Sequence, residues 1–226
     1  MAYQPIFDLD HKKVFAHEAL VRGTNGESAY SILSKVNDEN RYRFDQACRV
    51  KAIELASRLK MDSLLSINFL PNAIYNPETC IRTTIEASTK YNFGINNLIL
   101  EVTEGEKVED HAHLLSIIKE YKRQGIKTAI DDFGAGYSGL NLLAEFQPDY
   151  IKIDMALVRG IDKDRIRRSI IKGIMLVCRE IQIEVIAEGI ETEEEFKALR
   201  DLGINYIQGY YFCKPVFEGL GNFKFD

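Results

Sequence analysis

The chain has 226 residues, 46% of them hydrophobic, enough to bury one large core, so a single domain over 1–226 is the default reading. A net charge of −5 argues against a nonspecific nucleic-acid surface, which needs a basic face. No run of 18 apolar residues occurs, and Met1-Ala2-Tyr3-Gln4-Pro5 is not a signal peptide, so neither a membrane span nor export is indicated. Cys48, Cys80, Cys178 and Cys213 are scattered with no C-x-x-C, which fits free thiols in a reducing cytoplasm. The first strand begins almost at residue 1, which suits a module that can be joined to further domains.

Tyr3 to Leu9 and Val14 to Val21 flank the turn former Asp10-His11-Lys12-Lys13, predicting an opening hairpin. Helical periodicity follows from Phe44 to Leu59, and the apolar run Leu64-Leu65-Ser66-Ile67 then ends in Asn68. Leu98-Ile99-Leu100 ends in Glu101, and a helix is expected from His111 to Tyr121. His111 and His113 are two apart on it, a poor metal pair. Lys127-Thr128-Ala129-Ile130 ends in Asp131-Asp132, before the glycine-broken loop Phe133-Gly134-Ala135-Gly136-Tyr137-Ser138-Gly139. Tyr150-Ile151 leads to Lys152, and Ile166 to Ile181 reads as a helix. Lys163, Arg165, Arg167, Arg168 and Lys172 cluster at that helix and suit a solvated face or a subunit contact better than a polyanion site. Val185-Ile186-Ala187 leads to Glu188, and Tyr206-Ile207 to Gln208.

Short strands alternating with helices of this length predict βαβ units and a parallel sheet. Six or more units in a chain this long fit a (β/α) barrel better than an open sheet. No G-x-G-x-x-G opens an early helix, which argues against dinucleotide binding. In a barrel every strand C-terminus points at one mouth, so distant residues converge there. Any one strand-end polar residue is most simply a cap or a turn former. Asn68, Glu101, Asp131-Asp132, Lys152, Glu188 and Gln208 at successive strand ends predict a shared site. Two adjacent carboxylates at a strand end repel, and burying them is costly unless cations offset both charges. Hard divalent cations such as Mg²⁺ prefer carboxylate oxygens and are the natural neutraliser.

The sequence resembles the EAL-domain family of cyclic di-GMP phosphodiesterases over nearly its whole length. The naming tripeptide stands as Glu18-Ala19-Leu20, and around it fall Tyr3-Gln4-Pro5-Ile6, Ile67-Asn68-Phe69-Leu70-Pro71 and Leu100-Glu101-Val102-Thr103-Glu104. Asp131-Asp132-Phe133-Gly134, Lys152-Ile153-Asp154, Ala187-Glu188-Gly189-Ile190-Glu191-Thr192 and Gln208-Gly209-Tyr210 follow in family order. The resemblance implies a modified (β/α)8 TIM-type barrel with an antiparallel first strand. It implies an enzyme that hydrolyses cyclic di-GMP to linear 5′-pGpG with two Mg²⁺ or Mn²⁺ ions. Glu18, Asn68, Glu101 and Asp131 would hold one ion, and Asp131, Asp132 and Glu188 the second. Lys152 is similar to the family lysine that orients the attacking water, Glu188 or solvent would manage the proton, and Glu104 would brace the Gly134–Ser138 loop. Arg22 would clamp a substrate phosphate, Gln4 and Glu191 would contact the guanine or neighbouring groups, Leu20 would bind substrate, and Gln208 would bind substrate or support the ligands. A homodimer through the region after Asp131-Asp132 and the helix Ile166 to Ile181 is also implied, as is a sensory or regulatory partner domain.

The chain departs from the family pattern at Ala135 and Gly139, where Thr and Ser are common, and at Phe69-Leu70-Pro71 and Gly23. None of these removes a ligand. One rival reading is a noncatalytic family member that binds cyclic di-GMP or a protein, yet such members usually lack a ligand carboxylate. The other is a barrel lyase with Lys152 as a Schiff-base amine, which needs a depressed lysine pKa. Carboxylates crowding Lys152 would raise it instead.

Overall fold

The computed structural model describes residues 1–103, 111–136 and 139–221. Strands β1 (Ala2–Asp8) and β2 (Lys13–Leu20) form the opening hairpin, in register from Ala2 opposite Leu20 to Asp8 opposite Lys13. Then come α1 (Ala29–Leu33), α2 (Arg41–Arg58), β3 (Leu64–Asn68), α3 (Pro77–Cys80), α4 (Arg82–Lys90), β4 (Leu98–Thr103) and α5 (His111–Arg123). The second half runs β5 (Lys127–Phe133), α6 (Gly139–Glu145), β6 (Tyr150–Ile153), α7 (Met155–Val158) and α8 (Arg165–Glu180). It ends with β7 (Glu184–Ala187), α9 (Glu193–Asp201), β8 (Tyr206–Ile207) and β9 (Val216–Phe217).

Strands β2 to β8 pair in parallel in chain order, and β1 closes the ring by pairing antiparallel with both β2 and β8. The result is an eight-stranded (β/α) barrel with one reversed strand. Strand β1 meets β8 only at Phe7 and Asp8, and β9 covers the same edge at Ala2 and Tyr3. No helix among the described residues is long and apolar enough to cross a membrane. All four cysteines are free thiols.

The two-residue period of a strand sends alternate side chains inward and outward. Outward residues such as Tyr3, Phe7, Leu65, Ile67, Leu98 and Leu100 join the helices in the main core. Inward ones make a small separate cluster, Ile6, Ala16, Ile99, Ala129, Tyr150 and Ile186, which fills the barrel floor. Phe15, Leu64 and Tyr206 pack against it, with the Phe15 and Tyr206 rings 4.4 Å apart. One inward step toward the mouth, most strands carry a polar residue: Glu18 after Ala16, Glu101 after Ile99, Asp131 after Ala129, Lys152 after Tyr150, Glu188 after Ile186 and Gln208 after Tyr206. Strand β1 runs backwards, so its mouth residue, Gln4, precedes its floor residue, Ile6; Gln4 sits opposite Glu18.

Candidate metal and active site

Lys152 stands at the centre of the mouth, fully buried. Its Nζ lies 2.8 Å from Asp131 Oδ1, 3.1 Å from Glu188 Oε2, 3.2 Å from Glu101 Oε2 and 3.3 Å from Glu18 Oε2. Burial alone would lower the lysine pKa, but the carboxylates of Asp131, Glu101, Glu18 and Glu188 outweigh it and hold it well above its ordinary value. A lysine pKa held up by its carboxylate neighbours runs against the depressed value that a Schiff-base amine requires.

Four carboxylates around one ammonium leave surplus negative charge. Glu101 and Glu188 respond with pKa values pushed upward, first by burial and then, against the pull of Lys152, by their acidic neighbours. Asp132 is raised to about 6 by burial and by the Asp131 charge. Two groups bring ligand atoms within 4.8 Å of one another: Glu18, Glu101 and Asp131, and Asp131, Asp132 and Glu188. Asp131 belongs to both. Its Oδ1 is buried and makes no hydrogen bond among the described residues, because the close Lys152 Nζ does not approach it in hydrogen-bonding geometry. A buried aspartate shared by two oxygen-rich clusters fits a pair of hard divalent cations.

The neighbours fix the carboxylates in place. Asn68 Nδ2 donates to Glu18 Oε1 at 3.0 Å and Gln208 Nε2 to Glu18 Oε2 at 2.8 Å. Ser66 Oγ donates to Glu101 Oε1. Asn68 thus enters the site through Glu18 with its amide nitrogen, while its oxygen remains the ligand candidate. Gln208 acts on Glu18 and also lines the cleft.

Asp132 shows something that strand periodicity hides. In a regular strand it would point away from Asp131. Its φ is 54°, in the left-handed region that aspartate tolerates better than most residues, and the β5–β6 register shifts between Ile130 and Phe133. The irregularity re-aims the side chain, and both carboxylates face the mouth.

A cleft of about 310 Å³ opens above the cluster, with Gln4, Leu20, Asp154, Met155, Glu191 and Tyr210 on its walls beside the acidic groups. Gln4 Nε2 is held by the Cys213 carbonyl at 3.1 Å. Glu191 pairs with Arg159 at 2.8 Å, and the buried Glu195 accepts the Gly160 and Glu191 backbone N–H groups at 2.9 and 3.0 Å. The Thr192–Glu195 capping box of α9 thereby anchors the segment carrying Glu188 and Glu191. Gly209 is obligatory, since a Cβ there would lie 2.1 Å from the Ile190 carbonyl oxygen. Arg22 does not line the cleft; its Nη1 donates to the Val21 carbonyl at 2.7 Å. Glu104 and Ser138 lie outside the described residues. Sequence reasoning missed Arg159, Met155, the wall role of Tyr210 and the Asp132 backbone; the capping-box pattern Thr192-x-x-Glu195 was the one readable signal among them.

The EAL domain family model matches residues 1–215. The chain belongs to the EAL domain family. Among solved EAL structures, the c-di-GMP-bound form of a standalone versatile EAL protein from Vibrio cholerae O395 is 54% identical, with a TM-score of 0.96, covering 99% of this chain and 94% of that one. A manganese/cy-diGMP complex of BlrP1 from Klebsiella pneumoniae is 36% identical, with a TM-score of 0.92, covering 97% of this chain and 56% of that one. Among curated EAL relatives in Escherichia coli K12, the blue light- and temperature-regulated antirepressor BluF is 32% identical over 97% of this chain and 55% of its own length. The probable cyclic di-GMP phosphodiesterase PdeG is 35% identical over 72% of this chain and 32% of its own length. The chain spans about half or less of the length of these curated relatives.

Proposed function

We propose that this EAL domain is a cyclic di-GMP phosphodiesterase that uses two Mg²⁺ or Mn²⁺ ions and releases linear 5′-pGpG. The observation that carries the reading is the placement of Asp131 in two carboxylate clusters around the buried Lys152 ammonium. Glu18, Asn68, Glu101 and Asp131 would hold one ion, and Asp131, Asp132 and Glu188 the other. Bound there, divalent cations supply Lewis acidity that favours hydroxide at neutral pH and offsets charge on the phosphodiester.

The chain's own groups do the rest. Lys152 Nζ donates to the attacking water and balances the charge that builds as its oxygen adds to phosphorus. Glu188, whose Oε2 lies 3.1 Å from Lys152 Nζ, or a bound solvent molecule takes the water proton. One P–O3′ bond breaks, and the departing 3′ oxygen takes a proton from solvent. Gln4 and Glu191 offer polar edges to a base, while Leu20 and Tyr210 offer apolar faces. Arg22 turns from the Val21 carbonyl to a phosphate, for which a planar guanidinium is suited. Glu104, outside the described residues, would brace the loop after Asp132. The second reading is a noncatalytic module that binds cyclic di-GMP or a protein; a relative named as an antirepressor supports only its protein-binding form.

The reading places the domain in the cytoplasm, coupled to a sensory or regulatory domain, and working as a homodimer. One side of α8 carries Ile171, Ile174 and Cys178 into the core. Another carries Ile166, Ile170 and Val177, spaced as a second helical stripe and exposed, with Ile166 73% accessible. An exposed apolar stripe with basic residues beside it suits a polar-rimmed contact between two copies.

Incubation with cyclic di-GMP and Mn²⁺, followed by chromatographic identification of the product, tests the proposal. Linear 5′-pGpG that disappears on chelation supports it. Bound but intact cyclic di-GMP leaves the receptor reading in its place.

A further inference from the structure

We propose that Asp45 and Arg49 of α2 are positioning residues for the metal-bearing rim, holding the segment after β3 so that Asn68 keeps its place against Glu18. The inference rests on the metal-binding reading of that rim.

Asp45 and Arg49 form an ion pair one helical turn apart, both buried on the core side of α2. A buried pair of this kind is rarely more stabilising than apolar residues of similar size, so stability alone does not account for it. Its hydrogen bonds give another reason. One carboxylate oxygen of Asp45 takes the Arg49 guanidinium, and the other, Oδ1, accepts the backbone N–H of Leu70 at 3.0 Å. Arg49 is steadied in turn by Thr84 Oγ1 of α4 at 3.3 Å. With its amide set in the orientation that satisfies both ends, Gln46 offers its oxygen to Arg49 and its nitrogen to Thr83 Oγ1 and the Cys80 carbonyl, each 3.3 Å away. The network thus ties α2, α3 and α4 to a single backbone group.

That group lies two residues beyond Asn68, where β3 has ended and the turn Pro71–Ala73 is about to begin. Phe69 N–H still bonds to the Glu101 carbonyl at 2.9 Å, but Leu70 N–H goes to Asp45. A cavity of about 300 Å³ adjoins this segment, with Glu18, Asp45, Asn68, Leu70 and Asp131 on its walls. The segment therefore has room to shift if Leu70 is released. A shift would turn the Asn68 amide away from Glu18 Oε1, the contact it makes at 3.0 Å. Supporting groups of this sort typically govern metal affinity by about 10–100-fold.

The test compares Mn²⁺ affinity, read from the spin-resonance signal of free Mn²⁺, with thermal unfolding in the same buffer. The double variant Asp45→Leu/Arg49→Met removes both charges and the acceptor for Leu70 while keeping apolar volume. It should melt near the wild-type temperature and bind Mn²⁺ about 10–100-fold more weakly. Asp45→Asn keeps a carbonyl oxygen for Leu70 but strips Arg49 of its counter-charge. It should melt lower and keep wild-type Mn²⁺ affinity. Ile53→Ala, a cavity made elsewhere in α2, should lower the melting temperature without moving the affinity.

A folded double variant with wild-type Mn²⁺ affinity overturns the inference and leaves the proposed function intact. An Asp45→Asn protein as weak as the double variant also overturns it. A wild-type protein that binds no Mn²⁺, and no Mg²⁺ in a calorimetric titration, overturns the proposed function itself.

Discussion

Replacing Lys152 by Met keeps the length of the side chain and deletes the ammonium that four carboxylates share at 2.8–3.3 Å. At an effective dielectric near 20, each contact represents roughly 5 kcal/mol of attraction. Much of that is offset by the cost of desolvating the five charged groups. The net loss on leaving buried charge unpaired is about 3–5 kcal/mol, a large part of the ~5–15 kcal/mol that stabilises a domain. The loss depends on pH. Glu101 and Glu188 already have raised pKa values in the folded chain, and removing Lys152 raises them further. Between the unfolded carboxylate value and those folded values, the folded state binds more protons, so stability rises as pH falls. Urea unfolding in a chelating buffer should show Lys152→Met weaker than wild type by about 3–5 kcal/mol at pH 8, with the gap widening above pH 8, where Glu101 loses its proton in the wild type and keeps it in the variant. Added Mn²⁺ should close the gap at pH 8, because it neutralises the same oxygens. A deficit below about 1 kcal/mol at pH 8, or one that does not change with pH, refutes the view of Lys152 as the counter-ion of the cluster.

Asp131→Asn should abolish binding of both Mn²⁺ ions in a calorimetric titration, whereas Asp132→Asn should leave one, because Asp131 alone belongs to both clusters. Arg22→Ala should raise KM about tenfold or more while sparing kcat, the loss expected of one charge-assisted phosphate contact made equally before and during reaction. Sedimentation across a wide concentration range should show a dimer that Ile166→Asp/Ile170→Asp converts to monomer; an unchanged mass would remove α8 from the interface.

The barrel was readable because its chemistry follows the strand period. Glu101, Asp131, Lys152, Glu188 and Gln208 each stand two residues beyond a floor residue, so apolar runs that end in polar residues located the site without any long-range contact being known. The reversed first strand was not readable from periodicity, since a hairpin has the same alternation wherever it docks; the family resemblance supplied it. The inward turn of Asp132 was hidden because it depends on a left-handed backbone and a register shift. Asp45 and Arg49 look like an ordinary i,i+4 surface pair in the sequence, and only their burial and the Leu70 contact set them apart. Arg159 reaches Glu191 across 32 residues, a pairing that no local pattern announces.

The most direct measurement is a single turnover of cyclic di-GMP with excess protein and Mn²⁺ in ¹⁸O-labelled water, read by mass spectrometry. The account predicts linear 5′-pGpG with one labelled oxygen in its terminal phosphate, and no product from Lys152→Met that still binds the substrate. Intact cyclic dinucleotide recovered from a saturated, Mn²⁺-loaded protein would contradict it.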